Sequence, residues 1–253
     1  MATTRNYSTI SRFAICLLTV RPTERFYAFC KKLANYEYDV YICIDDNQYE
    51  IPNYDYEIPL LKFDNETIER IGFKSSVLYF RGKACSRDKA LYFFCKIKKT
   101  YKHVWFIEED VFIPSVDTIR DIDQKYGNAD LLCKSRHSKQ NTGQWPHWGL
   151  VVSQTNKQRL QYERSMVCAI RVSYKMLLAV ETYVKEHRSL FMDEALFNTL
   201  ANDNQLSVLA IPELSTIDYR HEWKLEDINL YNLYHPIKDT DKHDEFRKRL
   251  QTR

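Results

Sequence analysis

Apolar runs recur along the chain at 13–20, 40–44, 104–107 and 206–211, broken only by Thr19 and Ser207. They do not alternate with polar residues, so each predicts a strand covered on both faces. Shorter runs at 58–63 and 129–133 predict two more strands, and Pro59 places the first of them at a sheet edge. Helical spacing fills the intervals. Pro22 opens a helix whose apolar stripe is Phe26, Phe29, Cys30 and Leu33. Ser86 caps a helix with Ala90, Phe93, Phe94 and Ile97 inward, and Ser115 caps one carrying Ile119, Ile122 and Tyr126. Residues 169–172 lead into a helix capped by Ser173, with Met176, Leu177, Val180 and Val184 inward. A last helix covers 193–201 and starts on Asp193 and Glu194, two acids that suit the positive end of its dipole.

The opening order is strand, helix, strand, and no repeat or linker divides the chain. The prediction is one α/β domain over 1–253, a Rossmann-like central mixed sheet flanked by helices. Two stretches stand outside this pattern. Residues 134–149 are polar, basic and rich in tryptophan and histidine, which predicts a functional loop. Residues 235–253 are mostly charged, which predicts a solvated tail or helix.

The chain is organised around 103–115. Its apolar run stops at Glu108-Glu109-Asp110 and resumes as Val111-Phe112-Ile113. Three adjacent acids between apolar runs repel one another in a dry site. A divalent cation removes that repulsion, and oxygen ligands suit magnesium or manganese. The crevice beyond the carboxyl ends of the strands is where an open α/β sheet holds ligands. The alternative is an acidic turn facing water.

Composition narrows the field. Of 253 residues, 44% are hydrophobic and 28% charged, enough for a substantial core. A net charge of +3 makes no case for nucleic-acid binding. The five glycines, at 72, 82, 127, 143 and 149, form neither a dinucleotide fingerprint nor a phosphate loop. The seven cysteines include no C-x-x-C pair and sit mostly in apolar runs, which predicts buried, reduced thiols and a cytoplasmic protein. The N-terminal 1–12 is polar with two arginines, and the run at 13–20 is too short to span a bilayer, as is every later one.

The order of acid-tipped strands, capped helix, Glu108-Glu109-Asp110, aromatic loop and acid pair resembles the nucleotide-sugar glycosyltransferases of the GT-A fold over about 13–223. Their signature is Asp-x-Asp, or a variant, at the end of a central strand. Small members in large DNA viruses and bacteria lack a membrane anchor, which implies a cytoplasmic enzyme, in the host if the source is viral. The stretch from Met192 to Leu200 is also similar to the helix start of core-2-type N-acetylglucosaminyltransferases, in which a Pro-Asp-Glu glutamate is the base. Here Met192 replaces the proline, and those enzymes work without metal.

The resemblance implies a nucleotide-binding half at 13–110, an acceptor half at 111–234, and a nucleotide-sugar donor, a UDP-sugar before a GDP-sugar. Its partners are that donor and a glycan acceptor, with no nucleic acid and no membrane span. Mn2+ or Mg2+ would sit on Asp110 and Glu108, with His221 as a further ligand, and His147 and His235 are other possible metal or phosphate contacts. Thr19, Arg21, Asp45, Asp46, Arg87, Lys89 and Glu109 would meet the nucleotide sugar. Trp145, His147 and Trp148 would meet the acceptor. Glu194, with Asp193 in reserve, would be the catalytic base; burial raises its pKa while the helix N-terminus lowers it. Two other readings compete. A nucleotidyltransferase usually has a glycine-rich loop after the first strand, and Thr19-Val20-Arg21-Pro22 has no glycine. A carbohydrate-binding protein built on the tryptophan loop leaves the acids of the central strand unexplained.

Overall fold

The chain turns on β1 (Phe13–Thr19), which pairs in parallel with β2 (Tyr38–Ile44) on one side and β4 (His103–Glu108) on the other. The computed structural model describes residues 13–34, 37–51, 57–77, 82–142, 144–155 and 161–252; the polar N-terminal 1–12 lies outside them. β3 (Leu60–Lys62) extends the sheet beyond β2, at the edge that Pro59 predicts. β8 (Ala169–Ser173) runs antiparallel between β4 and β5 (Leu131–Cys133), and β9 (Val208–Ala210) closes the far edge. The order is β3-β2-β1-β4-β8-β5-β9. This mixed seven-stranded sheet between helices is the predicted Rossmann-like α/β domain.

The continuous apolar runs have a direct cause. In β1, Ala14, Cys16 and Leu18 enter one core layer, while Ile15 and Leu17 enter the other. The first layer is covered by α2 (Asn65–Ile71), α3 (Ser86–Lys96), α6 (Tyr174–His187) and α7 (Asp193–Asp203). The second is covered by α1 (Glu24–Ala34) and α4 (Val116–Lys125). The buried stripe of α1 is Phe26, Phe29, Cys30 and Leu33, as the spacing predicts.

Several expectations need correction. The run at 206–211 is not a two-sided buried strand: β9 is an edge strand paired with β5, and its Leu209 and Ala210 are exposed. Residues 169–172 are more than a lead into a helix, since β8 lies at the heart of the sheet. The cap of α3 is Cys85, one residue before Ser86, because the Asp88 carboxylate accepts from the Cys85 N–H at 3.0 Å. Residues 134–149 are not all loop. They include β6 (His137–Ser138), paired with β7 (Glu163–Arg164), and the start of α5 (Trp148–Thr155).

Residues 235–253 are likewise not simply solvated. α8 (Thr240–Leu250) buries His243, Phe246 and Leu250, one face of the helix, beside Phe112 and Tyr234. Arg247 lies 3.6 Å from the Phe29 ring centre and donates to the Ile113 carbonyl at 3.0 Å. All seven cysteines are free, six are buried, and Cys168 is half-buried. Among the described residues, no helix is long and apolar enough to cross a membrane.

Candidate functional site

After β1 the chain moves to β2 and β3 on one side, then returns to lay β4 on the other. The connections leaving the carboxyl ends of β1 and β4 both run to the second layer, through α1 and α4, while the chain returns from β3 to β4 through α3 on the first. Backbone hydrogen bonds gather three loops at this rim of the sheet. Glu109 N–H donates to the Leu18 carbonyl at 2.9 Å, and Asp45 N–H donates to Thr19 at 2.9 Å. Asp46 N–H reaches Val20 at 3.3 Å. Thr19, Asp45, Asp46 and Glu108-Glu109-Asp110 thus share one end of the sheet.

The three acids are half-buried, and each faces a different partner. Glu109 accepts from the Thr19 hydroxyl. Burial raises the Glu109 pKa, against the hydrogen bond from Thr19. Glu108 accepts from Arg87 Nη2. Asp110 Oδ2 lies 3.4 Å from His235 Nε2. Burial pushes the Asp110 pKa up, but the His235 hydrogen bond and charge outweigh it, so it stands below its usual value.

His235 reaches this place through the chain's return. Phe112 and Tyr234 exchange backbone hydrogen bonds at 2.8 and 3.1 Å, and Ile237 N–H donates to the Asp110 carbonyl at 2.8 Å. The His235 Nδ1 is 2.5 Å from the Asp218 carbonyl, which only accepts, so Nδ1 carries a proton. In the neutral ring Nε2 then offers a lone pair. His235 Nε2, the Glu108 carboxylate and the Cys168 thiol have ligand atoms within 4.8 Å of one another. These donors fit a divalent cation: two carboxylates nearby, and an imidazole oriented by a backbone carbonyl. His221, the predicted histidine ligand, is instead exposed against Trp223, with ring centres 4.0 Å apart. The Phe112–Tyr234 bridge delivers His235 to Asp110 in its place.

The basic residues of α3 are not exposed helix charges. Arg87 is buried, donates to the Val167 carbonyl at 2.8 Å, and meets Asp193 Oδ2 at 2.9 Å from Nε. It ties the acid loop to the start of α7. Lys89 is also buried and donates to the Asp45 carbonyl at 2.5 Å and Asn47 Oδ1 at 2.7 Å. It shapes the rim from below. Arg21 is exposed and pairs with Asp46 at 2.5 Å.

Asp193 and Glu194 form the first turn of α7. Asp193 N–H donates to the Ser76 carbonyl at 2.7 Å, and Asp193 Oδ1 accepts from Glu194 N–H at 2.8 Å. Burial raises Asp193 to about 6 despite Arg87. Burial, reinforced by Asp193, raises Glu194 to about 7. Desolvation therefore outweighs the nearby arginine charges in both. Glu194 keeps some exposure, so a substrate hydroxyl can approach it.

Among the aromatic candidates, Trp148 is only 4% exposed. Its indole donates to the Thr142 carbonyl at 2.9 Å, and its ring meets Trp145 and Tyr162. Trp148 is core and has no free face for a sugar, a correction to its predicted role. Trp145 is half-buried, touches His147, and lies under the Arg164 guanidinium at 4.9 Å. Arg164 also acts by charge on Glu194, so this cluster borders the α7 side of the site. Arg164 and Cys168 carry no motif. Only the antiparallel place of β8 beside β4 reveals the latter.

No protein-family model matches the chain, and no curated protein matches it. Solved structures do match. One is mouse xyloside xylosyltransferase 1 in its apo form, with a TM-score of 0.38 and 7% identity over 79% of this chain and 84% of that one. A likeness that weak carries no argument, and the functional reading rests on the site.

Proposed function

We propose that the protein is a GT-A-like glycosyltransferase that moves a sugar from a nucleoside-diphosphate donor, a UDP-sugar, to a hydroxyl of a glycan acceptor. The observation that carries this reading is one of position. The acid loop stands at the carboxyl ends of β1 and β4, and buried Arg87 links it to the carboxylate pair that opens α7. A nucleotide site and a proton acceptor are thereby held in one rigid frame.

Thr19, Arg21, Asp45 and Asp46 line the rim where a nucleoside enters, and a carboxylate there accepts from ribose hydroxyls. Glu108, Asp110 and His235 would hold a divalent ion, manganese or magnesium in the simplest case. When bound, such an ion neutralises the charge that develops on the leaving diphosphate. Glu109 fixes Thr19, and Arg87 with Lys89 holds the acids in place. Trp145 and His147 would meet the acceptor from the Glu194 side, with Trp148 supporting them from the core.

The acceptor oxygen forms a bond to the anomeric carbon as that carbon's bond to the diphosphate breaks. Glu194 takes the hydroxyl proton, and the nucleoside diphosphate leaves with the electron pair. A base near pH 7 is matched to this task. Isothermal titration with a panel of nucleotide sugars, with and without manganese, tests the reading. Metal-dependent binding of one donor is expected. A panel that binds under neither condition overturns it.

A further inference from the structure

Cys168 stands across the ladder from Glu108. β4 and β8 are antiparallel, Ile107 pairs with Ala169, and Glu108 N–H donates to the Cys168 carbonyl at 2.8 Å. Opposed residues of an antiparallel pair put their side chains on the same face. The Cys168 thiol is therefore carried to the acid loop by sheet register rather than by a flexible turn. It is also the one cysteine of the seven that is not fully buried.

A second observation is independent of the thiol. His235 is 7% exposed, and its Nδ1 donates to the Asp218 carbonyl. Its Nε2 faces Asp110 Oδ2 at 3.4 Å. A charged imidazole shares its proton with that carboxylate, and a neutral one offers a metal a lone pair beside it. Sulfur, imidazole nitrogen and carboxylate oxygen are the donor set of zinc-type sites, and a thiol is a poor partner for magnesium. The ligand atoms lie within 4.8 Å of one another, so closing them around one ion with bonds of about 2.0–2.3 Å takes side-chain shifts of about an ångström.

We infer that Cys168 is a metal ligand, and that with His235, Glu108 and Asp110 it makes this site select a thiophilic ion of the zinc or cobalt class over magnesium and manganese. The inference rests on the proposed function only in taking the acid loop as a cation site; it does not need sugar transfer. On binding, the sulfur–hydrogen bond breaks, a sulfur–metal bond forms, and the proton goes to solvent. No electron is transferred.

Metal-free full-length protein titrated with Co2+ tests this. A thiolate-to-cobalt charge-transfer band in the near ultraviolet is expected, lost in Cys168→Ser. Competition by zinc should show an affinity at least about tenfold weaker in Cys168→Ser. Manganese affinity, followed by electron paramagnetic resonance, should stay within about twofold, which also reports that the variant is folded. No band in the parent protein overturns the inference, as does a band that persists in Cys168→Ser. Equal loss of zinc and manganese binding also overturns it, since Cys168 would then be structural. If no nucleotide sugar binds but the cobalt band behaves as expected, the proposed function falls and the metal site stands.

Discussion

Arg87 Nε and Asp193 Oδ2 lie 2.9 Å apart, a buried ion pair joining the first turn of α3 to the first residue of α7. The same guanidinium holds Glu108. Glu108 is about a third exposed and can turn to water, but Asp193 is buried and cannot. Replacing Arg87 by methionine leaves buried Asp193 without its counter-charge and should cost about 3–5 kcal/mol. Urea denaturation checks this. A loss below about 1 kcal/mol, the scale of an exposed pair, would show that the bridge does not hold the frame together.

Glu194→Gln should lower turnover about a hundredfold or more and leave donor affinity nearly unchanged. The parent enzyme's rate should rise with pH through about 7, because the base must be deprotonated to work. The glutamine variant should lose that limb. Inversion of the anomeric configuration, read by NMR of the product, fits a base at this position; retention counts against it.

Asp110→Asn keeps the shape of the side chain and removes its charge. It should weaken metal-dependent nucleotide binding by more than about tenfold, or about 1.4 kcal/mol. His235→Gln should do the same, whereas His221→Gln should not, since His221 is exposed beside Trp223. Calorimetry on the three variants separates these outcomes.

Two buried histidines should make the protein acid-labile. Burial lowers His103 and His243 from the usual 6.5 to about 4. His103 donates from Nε2 to the Ala129 carbonyl, and its Nδ1 has no partner, so protonation would bury a bare N–H. The unfolded chain binds these protons more readily, so stability rises with pH across this window. It is fully present above about 6.5 and is lost as pH falls toward 4, about 3 kcal/mol for each residue. Denaturation midpoints measured across the window should fall on acidification, with a shallower slope in His103→Phe. Equal slopes in parent and variant would contradict the assignment for His103.

How far the sequence could be read depended on whether a signal was local. The stripe of α1 and the acids at the end of β4 were legible because each is written in consecutive or helically spaced residues. So was the edge position of β3, marked by Pro59. Long-range pairing governs which side chains meet. The Phe112–Tyr234 bridge brings His235, and not His221, beside Asp110, and the antiparallel entry of β8 sets Cys168 opposite Glu108. The buried face of α8 was hidden because His243, Phe246 and Leu250 stand among charges. Trp148 was misassigned because a tryptophan in a polar stretch reads alike whether it meets a sugar or the core.

The return of residues 234–237 onto the acid loop has a consequence for biosynthesis. Asp110 leaves the ribosome well before His235. At translation rates of roughly 5–20 residues per second, the acid loop waits on the order of ten seconds for its histidine. During that interval β1, β2 and β4 can already pair, but Asp110 lacks both the imidazole and the Ile237 clamp. A nascent chain stalled before residue 235 should therefore bind cations more weakly than the released protein, which metal-affinity measurements on arrested chains would show. Cation affinity would then be acquired late in synthesis, after the sheet that carries the acids.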